Sequence, residues 1–344
     1  MNIHERLAAF WSGEKPDKIP YTIYFWEWQH TMADPAWLPM YEKGLGVTHH
    51  LSTVRSHTRD LEIIHEDYVE NGTPWTREIQ RTPIGDITQT WEKGWHRKYL
   101  IENANDYRVM TYIAEHMEFS SCYDEYLKAE QEIKPYGIAL SCIGRTPLQY
   151  ILVDYIGLEN FAYHLADYGD EIRTLYNVMR KNFRRTVEIA AKGPGRFISN
   201  LENFTAESLG PKRYGEFLLP VYEECFPILQ AEGKIVGSHY DGRTASCKEL
   251  IARAPIDLIE SLTEPNEGDQ TLDQARAAWP NKLLWCNIRV GDYQLPPDQL
   301  RAQVQDMVRR GTPDGSRLAF EVSEHIPVNW RESMPVVLDA LADM

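Results

Sequence analysis

The sequence predicts an α/β protein, a (β/α)8 TIM barrel carrying a β-rich N-terminal insertion that forms a cap. Three observations carry this: apolar strand-like runs alternate with amphipathic helical stretches, polar residues gather where those runs end, and no nucleotide-binding glycine motif follows any run. A chain of 344 residues fits one barrel with additions and buries enough surface to need no disulfide staples.

The strand-like runs are Gly137–Ile143, Arg196–Leu201, Lys234–His239, Leu258–Leu262, Lys282–Ile288 and Arg317–Val322. Between them, apolar residues recur at helical spacing in Glu171–Lys192, Lys212–Glu232, Leu272–Ala278, Asp298–Arg310 and Trp330–Ala342. Such alternation specifies βα units and a parallel sheet. Residues 44–100 read differently, as antiparallel strands with turns at Asn71-Gly72 and Ile84-Gly85. This segment is expected to be a cap inserted after the first barrel strand of a single domain spanning 1–344.

Composition narrows the function classes. A net charge of −15 opposes binding to nucleic acid or an anionic membrane surface, and no run approaches the roughly 20 apolar residues of a membrane span. The N-terminus lacks the apolar core of a signal peptide, and five scattered cysteines without a CxxC pair argue for a reducing compartment. A cytoplasmic location is expected. A homodimer is compatible with the sequence, which does not specify it.

In a barrel enzyme, catalytic groups come from the C-terminal ends of the strands. Five runs end in such groups: Glu202-Asn203, His239 with Asp241, Glu260 followed by Glu264, Asn287 with Arg289, and Glu321 followed by Glu324. His239 and Asp241 stand at i and i+2, which in extended backbone places imidazole and carboxylate on one face. The pair suits either a zinc ion or a carboxylate-oriented general base; the structural alternative is a buried histidine and a turn-starting aspartate. Glu260 is favoured as a site residue, and strand alternation allows at most one of Glu321 and Glu324 to face the centre. Arg289 is a candidate for an anionic substrate group, whereas Lys212-Arg213 and Arg309-Arg310 read as helix-surface charge. Tyr24, Phe25, Trp26, Trp28 and His30, at the end of the first strand, read equally as core packing or as an aromatic wall for a planar or cationic substrate.

Several segments, in this order, resemble the uroporphyrinogen decarboxylase superfamily. They are the Arg6–Pro20 opening, Thr82-Pro-Ile-Gly85, Gly210-Pro-Lys-Arg-Tyr214, Gly237-Ser-His-Tyr-Asp-Gly242, Ile259-Glu-Ser-Leu-Thr263 and Glu324-His-Ile-Pro327. The superfamily includes zinc-dependent methyltransferases that work with corrinoid proteins. The resemblance implies a (β/α)8 barrel with its site at the C-terminal face. True decarboxylases of the group resemble one another in an Arg-Gln-Ala-Gly-Arg segment that meets substrate carboxylates; this chain has Phe25-Trp-Glu-Trp-Gln-His30 there, without arginine. The resemblance is therefore nearer the methyltransferase branch.

That branch carries His-x-Cys and a second Cys as zinc ligands. Here His239 is kept, Asp241 replaces the first Cys and Glu324 falls nearest the second, with Glu260 and Glu321 as alternative ligands. The implied cofactors are zinc or another divalent metal, and methylcobalamin supplied by a partner corrinoid protein, since no cobalamin-binding loop occurs in this chain. The implied reaction moves a methyl group between a small-molecule donor or acceptor and the corrinoid. Its rivals are a decarboxylase or lyase acting on a small carboxylic acid, and a non-catalytic ligand-binding barrel.

Overall fold

A computed structural model describes residues 1–344 apart from Pro313. Eight parallel strands close into a barrel: β1 (Tyr21–Tyr24), β2 (Leu45–Ser52), β9 (Gly137–Gly144), β10 (Phe197–Asn200), β11 (Ile235–His239), β12 (Leu258–Leu262), β13 (Leu283–Ile288) and β14 (Leu318–Val322). Their order around the barrel is β1-β14-β13-β12-β11-β10-β9-β2, so the first strand closes against the last and the second. Strands such as Leu-Leu-Trp-Cys-Asn-Ile in β13 are buried along their whole length, as a parallel sheet covered on both faces requires.

Six of the eight strands are the apolar runs read from the sequence, displaced by at most a residue or two at their ends. The expected insertion differs in its boundaries. Residues 45–52, expected in the cap, are barrel strand β2, and the chain leaves the barrel after its second strand rather than its first.

By contacts the chain divides into two compact units, Met1–Thr53 with Cys122–Gly144 and Ala190–Met344, and Val54–Ser121 with Arg145–Ile189. The barrel lies in the first, and the single domain expected over 1–344 is thus interrupted twice. The second unit holds β3 (Val54–Thr58) paired with β8 (Met117–Ser121), and an antiparallel meander of β4 (Glu62–Glu70), β5 (Thr73–Thr82), β6 (Gly85–Glu92) and β7 (Trp95–Lys98). Asn71-Gly72 forms the first hairpin turn with both residues at positive φ, the geometry that suits two-residue hairpins. The second turn falls on Pro83-Ile84, one residue before the expected site, because Thr82 and Gly85 are already paired.

The N-terminal end of the barrel is closed by the helix Ile3–Trp11, started by a capping box between Asn2 and Glu5. Leu7, Phe10 and Trp11 pack with Leu140, Phe197, Leu258, Leu283, Trp285 and Ala319 in one apolar cluster. Gly237 is required here: a Cβ at that position would lie 2.6 Å from the Trp11 ring. Each large side chain buried in this plug stabilises the fold by roughly 1.5–3 kcal/mol.

Candidate active site

Parallel register fixes which residues face the barrel axis. His239 pairs with Glu260, Asn287 with Glu321, Thr22 with Glu321, and Tyr24 with Thr48. Register partners share a face, and residues two apart along a strand share it too. Above the apolar plug the inward positions therefore become Thr22, Tyr24, Thr48, His50, His239, Glu260, Asn287 and Glu321. All lie toward the C-terminal strand ends, where the barrel rule places catalytic groups.

Glu260 is the hub. Its carboxylate is 1% exposed and stands between two imidazoles, with His50 Nε2 at 3.3 Å from Oε1 and His239 Nδ1 at 3.8 Å from Oε2. A bulge helps to aim it: register shifts between Glu260 and Leu262, and the intervening Ser261 adopts φ of 66°. Asn287 secures the bulge by donating from Nδ2 to Ser261 Oγ at 2.8 Å and to Thr263 Oγ1 at 3.1 Å.

The charges in this space pull in opposite directions. Burial alone would raise the Glu260 pKa, but the charge of His50 and the proximity of His239 overcome it and hold this carboxyl below its ordinary range. Glu321 has no imidazole beside it; burial first and the Glu260 charge second push its pKa well above the ordinary value, against the opposing effect of the Tyr24 hydroxyl and the Ser261 N–H. Two carboxyls with opposite preferences in one site are the pattern that acid–base chemistry uses. For His239, burial opposes the charged form, yet Glu260, and then the charges of Asp241 and Glu324, leave its pKa raised. The Tyr24 phenol is raised well above its usual value by burial and then by the charge of Glu321.

Few of these groups are satisfied. Thr22 Oγ1, His50 Nε2, His239 Nδ1, Glu260 Oε1, Asn287 Oδ1 and both Glu321 oxygens are buried without a partner in hydrogen-bond geometry. Buried polar atoms are almost always paired, so such a concentration at one strand end marks a place where a ligand completes the bonding.

The remaining candidates from the sequence fall elsewhere. Asp241 and Glu324 are exposed, and reach His239 by charge alone. Glu202 is fully buried, and its charge acts on Tyr222, Tyr214 and Tyr240, the last two joined by a 2.8 Å hydroxyl contact. Asn203 follows it at φ of 54° in the loop after β10. Arg289 is engaged by Asp292 at 2.8 Å and by the Pro265 carbonyl, which corrects its reading as a free anion-binding group. Arg310, read as surface charge, instead pairs with the buried Glu264, which also accepts from the Leu272 N–H at 2.8 Å.

Phe25–Thr31 is a helix, not a strand extension. It carries Trp26, stacked at 4.3 Å on Tyr24, with its indole N–H donating to the Glu324 carbonyl at 3.3 Å. Trp28 packs instead against Phe25 and Tyr136. His50 is the residue facing Glu260 that sequence reasoning missed. Its signal was the Val-Thr-His-His-Leu alternation of β2, hidden because that segment was assigned to the insertion.

The metal set implied by the resemblance is not assembled. Among the described residues no group of three or more His, Cys, Asp or Glu stands in metal-holding geometry. Asp241 and Glu324 point to solvent, and Glu260 already serves both histidines. The residues in place do not fit zinc as the resemblance would have it.

No family model matches the chain, and no curated protein does. Solved structures resemble it in fold. A methyltransferase from Methanosarcina mazei superposes with a TM-score of 0.59 at 11% identity, covering 100% of this chain and 99% of that one. A sugar phosphate isomerase/epimerase from Parabacteroides distasonis covers 94% of this chain and 93% of its own at a TM-score of 0.42 and 11% identity. At 11% identity the likeness to the methyltransferase is one of fold alone. Among the described residues no helix is long and apolar enough to cross a membrane.

Proposed function

We propose that this barrel is a methyltransferase that moves a methyl group between a small organic substrate and a corrinoid carried by a partner protein. The observation that carries the reading is Glu260 held between His50 and His239 at the C-terminal strand ends, on a barrel that superposes along its whole length with a methyltransferase. The sequence motifs described above point to the same class.

The corrinoid would be the substrate that takes or gives the methyl carbon. When a methyl group leaves an ether oxygen or a neutral amine, that atom must gain a proton, whereas an ammonium ion leaves as a neutral amine with the proton it already carries. When a methyl group arrives on a protonated acceptor, that atom must lose one. His239, kept basic by Glu260, is placed to carry that proton, with the imidazolium charge compensated by the carboxylate. Glu260 orients both imidazoles and so acts as a positioning and charge-compensating group. No step is routed through a metal, and elemental analysis of the purified chain is expected to find no stoichiometric zinc.

A spectrophotometric assay of cobalamin methylation and demethylation, run with free cobalamin and a panel of methylated small molecules, tests the class. Turnover that falls by about 100-fold in His239→Ala supports it. An absence of methyl transfer in either direction would overturn it. A second reading has one observation in its favour: the raised pKa of Glu321 suits it to protonate carbon after loss of carbon dioxide. Release of carbon dioxide from a small carboxylic acid without any cobalamin would select that reading.

A further inference from the structure

We propose that the inner face at the C-terminal strand ends, where Asn287 and Glu321 stand beside Tyr24, is a seat for a small protonated amine bearing N–H groups, so that the methylated substrate is an N-methyl ammonium ion. The proposal rests on the methyl-transfer reading for what happens to the amine, and on the following geometry for its binding.

The unpartnered atoms here are mostly acceptors. Asn287 spends its amide N–H groups on Ser261 and Thr263, which leaves Oδ1 with only lone pairs to offer. Glu321 presents two oxygens, neither with a partner in full hydrogen-bond geometry and only the Tyr24 hydroxyl and the Ser261 N–H beside them, while the residue is 1% exposed. A ligand that satisfies three acceptors at once must bring several donors. A monoalkylammonium ion brings three N–H donors on one atom and a dialkylammonium ion two.

Charge agrees. None of the eight barrel strands contains Lys or Arg, so no fixed cation competes for Glu321. Nearby arginines are committed: Arg289 to Asp292, Arg243 to Glu207 and Arg310 to Glu264. The two cationisable groups on this inner face, His50 and His239, are turned to Glu260. Further carboxylates at Asp241 and Glu324 add negative potential at the mouth, felt at Tyr24. The stacked Tyr24–Trp26 pair supplies an aromatic surface, which suits a cation carrying methyl groups. A neutral ether would leave the Glu321 oxygens unpaired, and an anionic substrate would meet like charge.

Isothermal titration of the full chain without any methyl acceptor tests this directly. Dimethylammonium and methylammonium are expected to bind. Tetramethylammonium, which lacks N–H, methanol, which is neutral, and acetate are each expected to bind at least about tenfold more weakly. Glu321→Gln should weaken dimethylammonium by about tenfold or more, because an amide cannot ionise against the bound cation and offers one acceptor oxygen in place of two. Tyr24→Phe, which keeps the ring, should retain most of the affinity. Equal affinity for methanol or tetramethylammonium, preference for acetate, or no binding of either amine would overturn the proposal. Should Glu321→Gln fail to fold, the selectivity of the unaltered chain decides alone. Amine binding without methyl transfer would sink the catalytic reading and leave the seat standing; methyl transfer from neutral ethers alone would do the reverse.

Discussion

At the N-terminal end of the barrel, Leu258, Trp285, Ala319 and Gly237 meet the side chains of Leu7, Phe10 and Trp11 in a dry plug. Two residues further along the same strands stand Glu260, Asn287, Glu321 and His239, most of them with an atom that has no partner. The backbone is continuous, the register is shared, and only the side chains change. One end of the barrel is thus built for stability, and the other gives up stability to hold unsatisfied groups in place. Strand alternation makes the division sharp, since each step of two residues returns to the same inner face.

The comparison can be broken from either end. The largest effect on the fold is expected at the plug. Trp285→Ala removes a fully buried indole and should cost about 3–5 kcal/mol, read as a lowered denaturation midpoint. A loss under about 1 kcal/mol would mean that the plug collapses around the gap and is not the rigid base of the barrel.

Glu260→Gln strikes the other end and should lower turnover by about 100-fold with the fold intact. Its pH dependence carries a sign. The folded-state pKa of Glu260 lies below the ordinary 4.5, so the carboxylate's contribution to stability is complete above that pH and is lost as pH falls through the folded value. The difference in thermal midpoint between the parent chain and the Gln variant should therefore shrink as pH drops below 4.5. A difference that stays constant into acid would show that the histidines do not stabilise this charge.

Glu321→Met should act in the opposite sense. It relieves a buried, unpartnered carboxyl, so stability should rise by about 1 kcal/mol while turnover is lost. Destabilisation by the same variant would show that Glu321 is satisfied within the fold and is no part of a ligand seat. The smallest effect is expected from Arg289→Ala. Its guanidinium is committed to Asp292 and a carbonyl, so KM should be unchanged, with a stability cost of about 1 kcal/mol or less. A large rise in KM would return Arg289 to the site.

Much of the barrel was legible because burial on both faces leaves an apolar run in a strand such as Leu258–Leu262, and burial on one face leaves helical spacing in a helix such as Leu272–Ala278; both were read with the bounds the structure shows. Glu260 and Asn287 were legible as polar residues at the ends of such runs. β2 was not, since Gly-Val-Thr-His-His-Leu-Ser carries too many polar side chains to look like a buried strand. The same polarity that hid the strand is what makes His50 useful. Glu264 and Arg289 stand at the right ends of the right strands, but Glu264 pairs with Arg310, distant in sequence, and Arg289 with Asp292 in the following turn.

By itself the sequence determined the alternation of strands and helices, and with it a parallel barrel whose polar groups gather at one end. Hydrophobic pattern suffices for this, because each strand and helix must bury its own apolar face wherever it lies in the chain. Only the tertiary structure decided which of those polar groups face one another. His239 meets Glu260, which also meets His50, and not Asp241 and Glu324, because barrel closure sets the register between strands far apart in sequence. Local spacing carries no information about that register.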